Sequence, residues 1–217
     1  TMILFGVRSP LVVDYEETCH RLGLAISAAV SVQGEPRLVD RAALVALADF
    51  NPSANADPFI ACAFAPGRRA ELIALATRLG LSATPALIDP SAVLARTVRV
   101  GAGSFINAGV VIGAVALIGE GVLVNRSASL GHHTVLGDHV SVGPGATLAG
   151  NIQVGNAAMI GAGAVVLPHL RIGAGAVVAA GAVVRHHVPD GALVAGHPAR
   201  QRAVPRWRSS LQTPDAE

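Results

Sequence analysis

Two adjacent histidines, His132 and His133, are the side chains in this sequence best suited to acid–base chemistry. They lie in a polar stretch, residues 125–150, within an otherwise apolar part of the chain. A neutral imidazole there could accept the proton of an amine or hydroxyl group as that group attacks a thioester. A backbone N–H group in a neighbouring turn could stabilise the charge that develops on the thioester oxygen. The alternative is a pair of exposed histidines without a chemical role. We favour His132 as a general base because no other basic side chain has a comparable place in the repeats described next.

The position of these histidines is set by an internal repeat of six residues. Steps of six from Ile88 to Val184 meet seventeen positions, every one of them Ile, Leu or Val. A small or aliphatic side chain stands two residues before each aliphatic, as at Ala128 and Ala146. One large and one small inward side chain per repeat describe one flat face of a triangular prism. The repeat therefore predicts a left-handed parallel β-helix of five to six coils, with no inserted loop.

Glycine follows many of these aliphatic residues, as at Gly101 and Gly119. We attribute this to a tight corner whose backbone conformation a Cβ would strain. A solenoid of this kind has flat, rather apolar faces. We expect three prisms to associate as a homotrimer with cyclic symmetry, which would place His132 in a cleft between subunits.

Residues 1–86 show a different pattern, in which apolar strands alternate with helices. Strands are predicted over residues 2–7, 24–32 and 59–64. Helices are predicted from Pro10 to about Leu22, over residues 40–50 and over residues 70–79. Such alternation indicates a small α/β Rossmann-like domain with a parallel sheet. The prism then occupies residues 87–196, and residues 197–217 form a C-terminal turn and a flexible tail.

Composition excludes several classes of function. The chain has 217 residues, 52% of them hydrophobic and only 14% charged, with a formal net charge of +2. That balance predicts no nucleic-acid partner and no attraction to a membrane surface. We expect no membrane insertion and no signal peptide. The two cysteines, Cys19 and Cys62, have apolar neighbours, which is typical of buried reduced thiols in a cytoplasmic protein.

A metal site is a further possibility, since some proteins with such prisms are zinc-dependent carbonic anhydrases. Their three imidazoles converge from two chains, and two of them are five residues apart in sequence. Here His139 lies near the His132–His133 pair, but position 137 is Gly and the earlier coils contain no histidine. We therefore expect no metal cofactor.

Four motifs carry a resemblance to a known family that covers nearly the whole chain. They are listed here in chain order: the join Leu87-Ile88-Asp89-Pro90-Ser91-Ala92, the block 125–150, the run 160–166 (IGAGAVV) and the closing Gly196-His197-Pro198-Ala199. With them the chain resembles the sugar O- and N-acetyltransferases typified by the sialic acid O-acetyltransferase and the bacillosamine-pathway enzymes. The resemblance implies acetyl-CoA as co-substrate.

The resemblance also implies roles for individual residues of the prism. His132 falls on the general base. The next position, usually acidic in the family, is His133 here, and a histidine that contacts acetyl-CoA falls on Ser141. Asn125 falls near the active site. The implied coenzyme A-binding positions are Ser141, Gly150, Ala162 and Ala180, the last two through the backbone.

In the family the N-terminal domain binds a nucleotide-linked amino sugar. Its Gly-rich turn falls on residues 6–10, where Gly6, Arg8, Ser9 and Pro10 are the implied substrate-binding residues and a second glycine is missing. An acidic pair falls on Ser31 and Val32, and a further glycine falls on Ala63. The expected function is transfer of an acetyl group from acetyl-CoA to an amino group of that sugar, with His132 as base. The alternatives are O-acetylation of a sugar or another small acceptor, and an inactive binding or scaffold prism.

Overall fold

The computed structural model describes residues 1–203, which form an α/β domain followed by a parallel β-solenoid. The flexible tail expected at the C-terminus lies outside these residues from position 204 onward. A strand at Arg200–Arg202 instead continues the described chain. It pairs in antiparallel orientation with Leu193–Ala195 at the end of the solenoid.

The N-terminal domain is a four-stranded parallel sheet with two helices. The strands are β1 Met2–Phe5, β2 Ile26–Ser31, β3 Leu44–Ala46 and β4 Phe59–Ala61, in the spatial order β3-β2-β1-β4. The helices are α1 Val12–Arg21 and α2 Pro66–Arg78, and Pro52–Ala54 forms one 3-10 turn. Gly80 follows α2 with a φ of 85°, a left-handed conformation that ends the helix. Neither helix combines the length and the apolar character needed to cross a bilayer.

The helix predicted over residues 40–50 is wrong. This segment contains β3, whose residues pair with Ala29, Val30 and Ser31 of β2. The backbone N–H of Leu47 also donates to the carbonyl of Ser31. The local sequence, rich in Ala and Leu, is compatible with a helix or a strand. The strand forms here because the edge of β2 offers backbone hydrogen-bond partners.

Three parallel sheets form the solenoid, and the chain visits them in turn. Residues one coil apart pair in register at a separation of eighteen, as Leu117 does with Val135. Face 1 consists of Ala86–Ile88, Ser104–Ile106, Leu123–Val124, Ser141–Val142, Met159–Ile160, Val177–Val178 and Leu193–Ala195. Face 2 consists of Val93–Leu94, Val111–Ile112, Ser129–Leu130, Thr147–Leu148, Val165–Val166 and Val183–Val184. Face 3 consists of Arg99–Val100, Leu117–Ile118, Val135–Leu136, Gln153–Val154 and Arg171–Ile172.

The predicted six-residue phase holds from Ile88 to Val184, and the last strand of face 1 then pairs at a separation of sixteen residues, as Val178 does with Val194. The aliphatic residues from Ile106 to Val184 are buried in one continuous core, together with small companions such as Ala128 and Ala146. Burial of this apolar surface, at roughly 25 cal/mol per Å², is the main stabilising contribution. The parallel β-helix and the preceding α/β domain are therefore confirmed.

The reason given above for the corner glycines is wrong. Gly101 is not among the residues with positive φ, whereas Gly103, two positions later, has a φ of 68°. A Cβ on Gly101 would lie 2.5 Å from the carbonyl carbon of Gly119 in the next coil. Close stacking of successive coils, and not backbone strain, therefore excludes side chains at these positions. The left-handed corner position is filled by other residue types in several coils, including His133 and His139.

The two parts of the chain share a buried apolar contact. Leu87, Phe105 and Leu123, which project outward from face 1, belong to one hydrophobic cluster with side chains of the N-terminal domain. The ring of Tyr15 on α1 stacks on Phe105 with their centroids 4.0 Å apart. The N-terminal domain therefore packs on face 1 at the first coils of the prism.

A buried arginine completes this contact. Arg69 of α2 is 1% exposed, and its guanidinium has no carboxylate partner among residues 1–203. It donates instead to carbonyl oxygens of both parts of the chain, including those of Ala63 at 2.8 Å, Gly121 at 2.6 Å and His139 at 2.7 Å. Burial lowers the pKa of Arg69 to about 10. These directed bonds fix α2 against the prism corner because a buried guanidinium requires all its donors to be satisfied.

His139 lies beside this guanidinium, and its surroundings predict that the stability of the folded protein falls at acid pH. Burial, and next the positive charge of Arg69, lower the pKa of His139 below its ordinary value. Protonation therefore favours the unfolded chain, so the stability contributed by neutral His139 is complete above about pH 6.5 and declines as the pH falls below it. We expect His139→Asn to lose less thermal stability than the unchanged protein between about pH 7 and about pH 5. Asparagine also suits the φ of 59° at this position.

Scanning calorimetry at several pH values measures this difference. His20→Asn is the matched control because it removes an exposed imidazole from α1. If the melting temperature fell equally with pH in the His139 variant and in the unchanged protein, His139 would not be the source of the acid sensitivity.

Candidate active site

His132 and His133 lie at the corner between faces 2 and 3, where both side chains are exposed. Their Nδ1 atoms are 3.0 Å apart, a hydrogen-bond distance, and their rings are nearly perpendicular at 89°. His133 has a φ of 57°, a left-handed conformation that recurs at this corner at Val115, Asn151 and His169. The tight corner thus turns the second imidazole back onto the first.

This contact limits the protonation states of the pair. One Nδ1 must donate and the other must accept, so only one of the two carries hydrogen. When His132 donates, its Nε2 has a free lone pair and can accept a proton from a substrate. The Nδ1 atom of a neutral His133 can then accept this hydrogen bond, as would the acidic side chain that the family resemblance implies at this position.

Gly150 lies one coil beyond His132 at the same corner. A Cβ on Gly150 would approach the imidazole of His132 to 2.6 Å at Cε1 and 2.7 Å at Nε2. The ring therefore lies directly over the Cα of Gly150. Within residues 1–203 the N–H group of Gly150 donates no hydrogen bond, so a donor remains available close to the candidate base.

Ala162 and Ala180 lie at a different corner, the one between faces 1 and 2. They are one coil apart and exposed, and their N–H groups donate no hydrogen bond within the described part of the chain. Two stacked free donors suit the amide oxygens of an extended ligand such as the pantetheine arm of coenzyme A. The backbone contact of Ala162 and Ala180 with coenzyme A stays a prediction.

The cofactor contact predicted for Ser141 is wrong. Ser141 is fully buried on face 1 beneath the N-terminal domain. Its hydroxyl donates to the carbonyl of Phe64 at 2.6 Å and accepts from Nη1 of Arg69 at 3.0 Å. Both hydrogen-bonding functions are used within the domain contact, so this side chain has no access to a ligand.

The predicted substrate residues of the N-terminal domain meet at one edge of the sheet. Gly6 follows β1, Ser31 ends β2 and Ala63 lies just beyond β4, and these parallel strands are neighbours. Gly6 has a φ of 83°, and a Cβ there would lie 2.4 Å from Leu72. This carboxyl edge is where ligands bind in open parallel sheets.

Arg8, Ser9 and Pro10 extend from the same edge toward α1. The side chain of Arg8 covers Gly34, whose Cβ would lie 2.7 Å from its Cδ. Arg8 has no acidic partner in residues 1–203. The Ser9 carbonyl accepts from the N–H of Val12, while Pro10 is exposed. A half-buried, unpaired guanidinium at this edge suits an anionic ligand.

Asn125 lies at the corner between faces 1 and 2, in a polar network that sequence analysis found only in part. Its Oδ1 accepts from Nδ2 of Asn107, one coil earlier, at 2.9 Å. The same Nδ2 donates to Oδ2 of Asp14 at 2.9 Å, and Asp14 pairs with Arg126 at 3.1 Å. Asn107 could have been found from the sequence. It lies eighteen residues before Asn125, and both asparagines follow a repeat aliphatic residue at a position where glycine is usual.

No three His, Cys, Asp or Glu side chains converge in a metal-binding arrangement in residues 1–203. The His132–His133 pair and His139 lie at different corners of the prism.

Comparison with known proteins places the repeats among those of bacterial transferases. Residues 116–150 and 151–186 match the family model of the bacterial transferase hexapeptide (six repeats). No curated protein sequence matches the chain significantly. Solved structures resemble it over nearly its full length.

Three of these structures, two of them acetyltransferases, illustrate the similarity. Perosamine N-acetyltransferase from Caulobacter crescentus, solved as a histidine-to-asparagine variant with CoA and GDP-perosamine, is 29% identical with a TM-score of 0.86, covering 94% of this chain and 97% of that one. The acetyltransferase domain of PglB from Neisseria gonorrhoeae, solved with acetyl coenzyme A, is 27% identical with a TM-score of 0.83, covering 93% and 98%. WeeI from Acinetobacter baumannii is 25% identical with a TM-score of 0.84, covering 93% and 99%.

Proposed function

We propose that this chain transfers the acetyl group of acetyl-CoA to the amino group of a nucleotide-linked amino sugar. It is an acyltransferase of the bacterial hexapeptide-repeat class with the architecture of the sugar acetyltransferases. The observation that carries the proposal is the His132–His133 pair, whose first imidazole lies over Gly150 with its unpaired N–H group. Among the similar structures, the acetyltransferase domain of PglB was solved with acetyl coenzyme A, and three structures from Caulobacter crescentus hold both CoA and GDP-perosamine.

The reaction follows from this arrangement. The lone pair of the amine attacks the thioester carbonyl carbon and forms the C–N bond, while Nε2 of His132 accepts a proton from the nitrogen. The tetrahedral intermediate then collapses, and the C–S bond breaks. The proton held by His132 passes to the departing thiolate, which leaves as coenzyme A.

Two further groups support this sequence of steps. The N–H of Gly150 is free to stabilise the oxyanion of the intermediate. His133 holds the Nδ1 proton of His132 in place, so that Nε2 stays the accepting nitrogen. The free N–H groups of Ala162 and Ala180 would bind the coenzyme A arm. Acetyl-CoA as co-substrate and two buried free cysteines favour a cytoplasmic enzyme.

Release of free thiol from acetyl-CoA, measured with a panel of UDP- and GDP-linked amino sugars, tests the function. Turnover that requires an amino group on the sugar supports it. Turnover with the corresponding hydroxyl sugars alone would indicate O-acetylation, and no turnover with any acceptor would indicate an inactive prism. Mass spectrometry of the product distinguishes N- from O-acetyl groups.

We also propose that the active form is a homotrimer. Large apolar side chains around the corner that carries His132 are exposed in the single chain, among them Val111, Val115, Leu117 and Val135, with exposed fractions of 37% to 48%. Val115 lies one coil before His133 at the same corner. Solvent-exposed apolar residues around a reactive pair are typical of an intersubunit cleft.

A charge in this apolar surface should break the assembly. We expect Leu117→Arg to sediment as a monomer and to lose acetyl transfer, because burying an unpaired guanidinium between subunits is strongly unfavourable. Val39→Arg is the control, since Val39 is 82% exposed on the N-terminal domain. A monomeric unchanged protein, or an active monomer of the Leu117 variant, would contradict the trimer.

A further inference from the structure

Three polar side chains connect the N-terminal domain to a corner of the prism. They are Asp14 on α1, and Asn107 and Asn125 at the corner between faces 1 and 2. Asp14 is 14% exposed in its side chain, Asn107 is 2% exposed and Asn125 is 5% exposed. The polar groups of buried amides are normally satisfied by hydrogen bonds.

The hydrogen bonds fix the orientation of both amides. The Nδ2 group of Asn107 donates to Asp14 and to Asn125, at 2.9 Å each. A carboxylate only accepts, so Asn107 must turn its NH2 group toward Asp14. Its Oδ1 accepts from the N–H of Ala108 at 2.7 Å, which agrees with this orientation.

The orientation passes on to Asn125. Its Oδ1 accepts from Asn107 at 2.9 Å and from the N–H of Arg126 at 2.8 Å, so both lone pairs of that oxygen are used. The NH2 group therefore points away from the network, and it has no hydrogen-bond partner among residues 1–203. In the next coil this corner position is Gly143, which has no side chain to continue the ladder.

We propose that Asp14 and Asn107 are positioning residues that present the NH2 group of Asn125 as a hydrogen-bond donor to the acceptor substrate. The proposal rests on the proposed function and extends it. This donor lies at the corner between faces 1 and 2, which also carries Ala162 and Ala180. It suits a hydroxyl or ring oxygen, which a sugar supplies. Because Asp14 belongs to the N-terminal domain, packing of that domain on the prism fixes the orientation of the Asn125 NH2 group.

Steady-state kinetics of matched variants test the proposal. Asp14→Ala and Asn107→Ala free the amide of Asn125 to rotate, and we expect kcat/KM for the acceptor to fall by about 3- to 10-fold while KM for acetyl-CoA stays unchanged. Asp14→Asn keeps an oxygen that accepts from Asn107, so it should retain near-normal kinetics. Asp138→Ala is the control, because Asp138 accepts from the N–H of Glu120 at 2.9 Å in an equivalent ladder at another corner.

A double-mutant cycle separates positioning from general destabilisation. In an Asn125→Ala background, Asp14→Ala should cause no further loss, because the group it positions is absent. Additive losses, or an equal loss in Asp14→Asn, would overturn the proposal. Failure of the proposed function would look different, since the unchanged protein would then show no acetyl transfer at all.

Discussion

Replacement of His132 by alanine should lower kcat by about 10²–10⁴-fold, the contribution typical of a positioned general base. The affinity for coenzyme A should change little, because the free N–H groups of Ala162 and Ala180 lie at a different corner of the chain. Thermal stability should also be kept, since the imidazole is exposed. Thiol release measures the rate, and calorimetry with coenzyme A measures the affinity.

The His132–His133 contact gives this expectation an internal control. His133→Glu keeps an acceptor for the Nδ1 proton of His132, so it should retain most of the activity. His133→Ala removes the acceptor, so its kcat should lie between that of His132→Ala and that of the unchanged protein. Near-normal turnover of His132→Ala would show that this pair is an exposed surface feature and that the base lies elsewhere.

The prism was predictable because its information is local and repeated. Each coil stacks on the next at a separation of eighteen residues, so one six-residue rule fixes which side chains point inward. The same rule placed His132 and His133 at one corner. It did not reveal the Nδ1–Nδ1 contact, which depends on the left-handed conformation of His133.

The N-terminal domain was less predictable where tertiary contacts decide the structure. The segment around β3 has no periodicity that separates a helix from a strand, and its pairing with β2 is a long-range effect. The prediction for Ser141 was wrong for a related reason. Its hydroxyl is hydrogen-bonded to Arg69, seventy-two residues earlier in the chain, and no local pattern links these two residues.

Positions within the prism also carry information that only stacking reveals. Gly150 was predicted as a coenzyme A position from resemblance, and the structure adds a separate requirement for the absence of its side chain. A Cβ would lie 2.6 Å from Cε1 and 3.1 Å from Nδ1 of His132. Those distances are too short for non-bonded carbon and nitrogen atoms, so an alanine at this position and the observed imidazole cannot coexist.

Gly150→Ala should therefore reduce kcat strongly without unfolding the protein. Gly150 does not have a positive φ, so its backbone tolerates alanine, and the exposed ring of His132 can rotate into solvent. A displacement of about 1 Å in a catalytic group costs about 10²-fold in rate. Gly67→Ala is the matched control, because it adds the same methyl group where a Cβ meets nothing within 4 Å. Thiol-release kinetics should show the loss only in the Gly150 variant, and NMR of the imidazole nitrogens should show that its His132 no longer shares a proton with His133. Full activity of Gly150→Ala would mean that the working position of the imidazole is not the one over Gly150, and the free N–H of that residue would then need a different role.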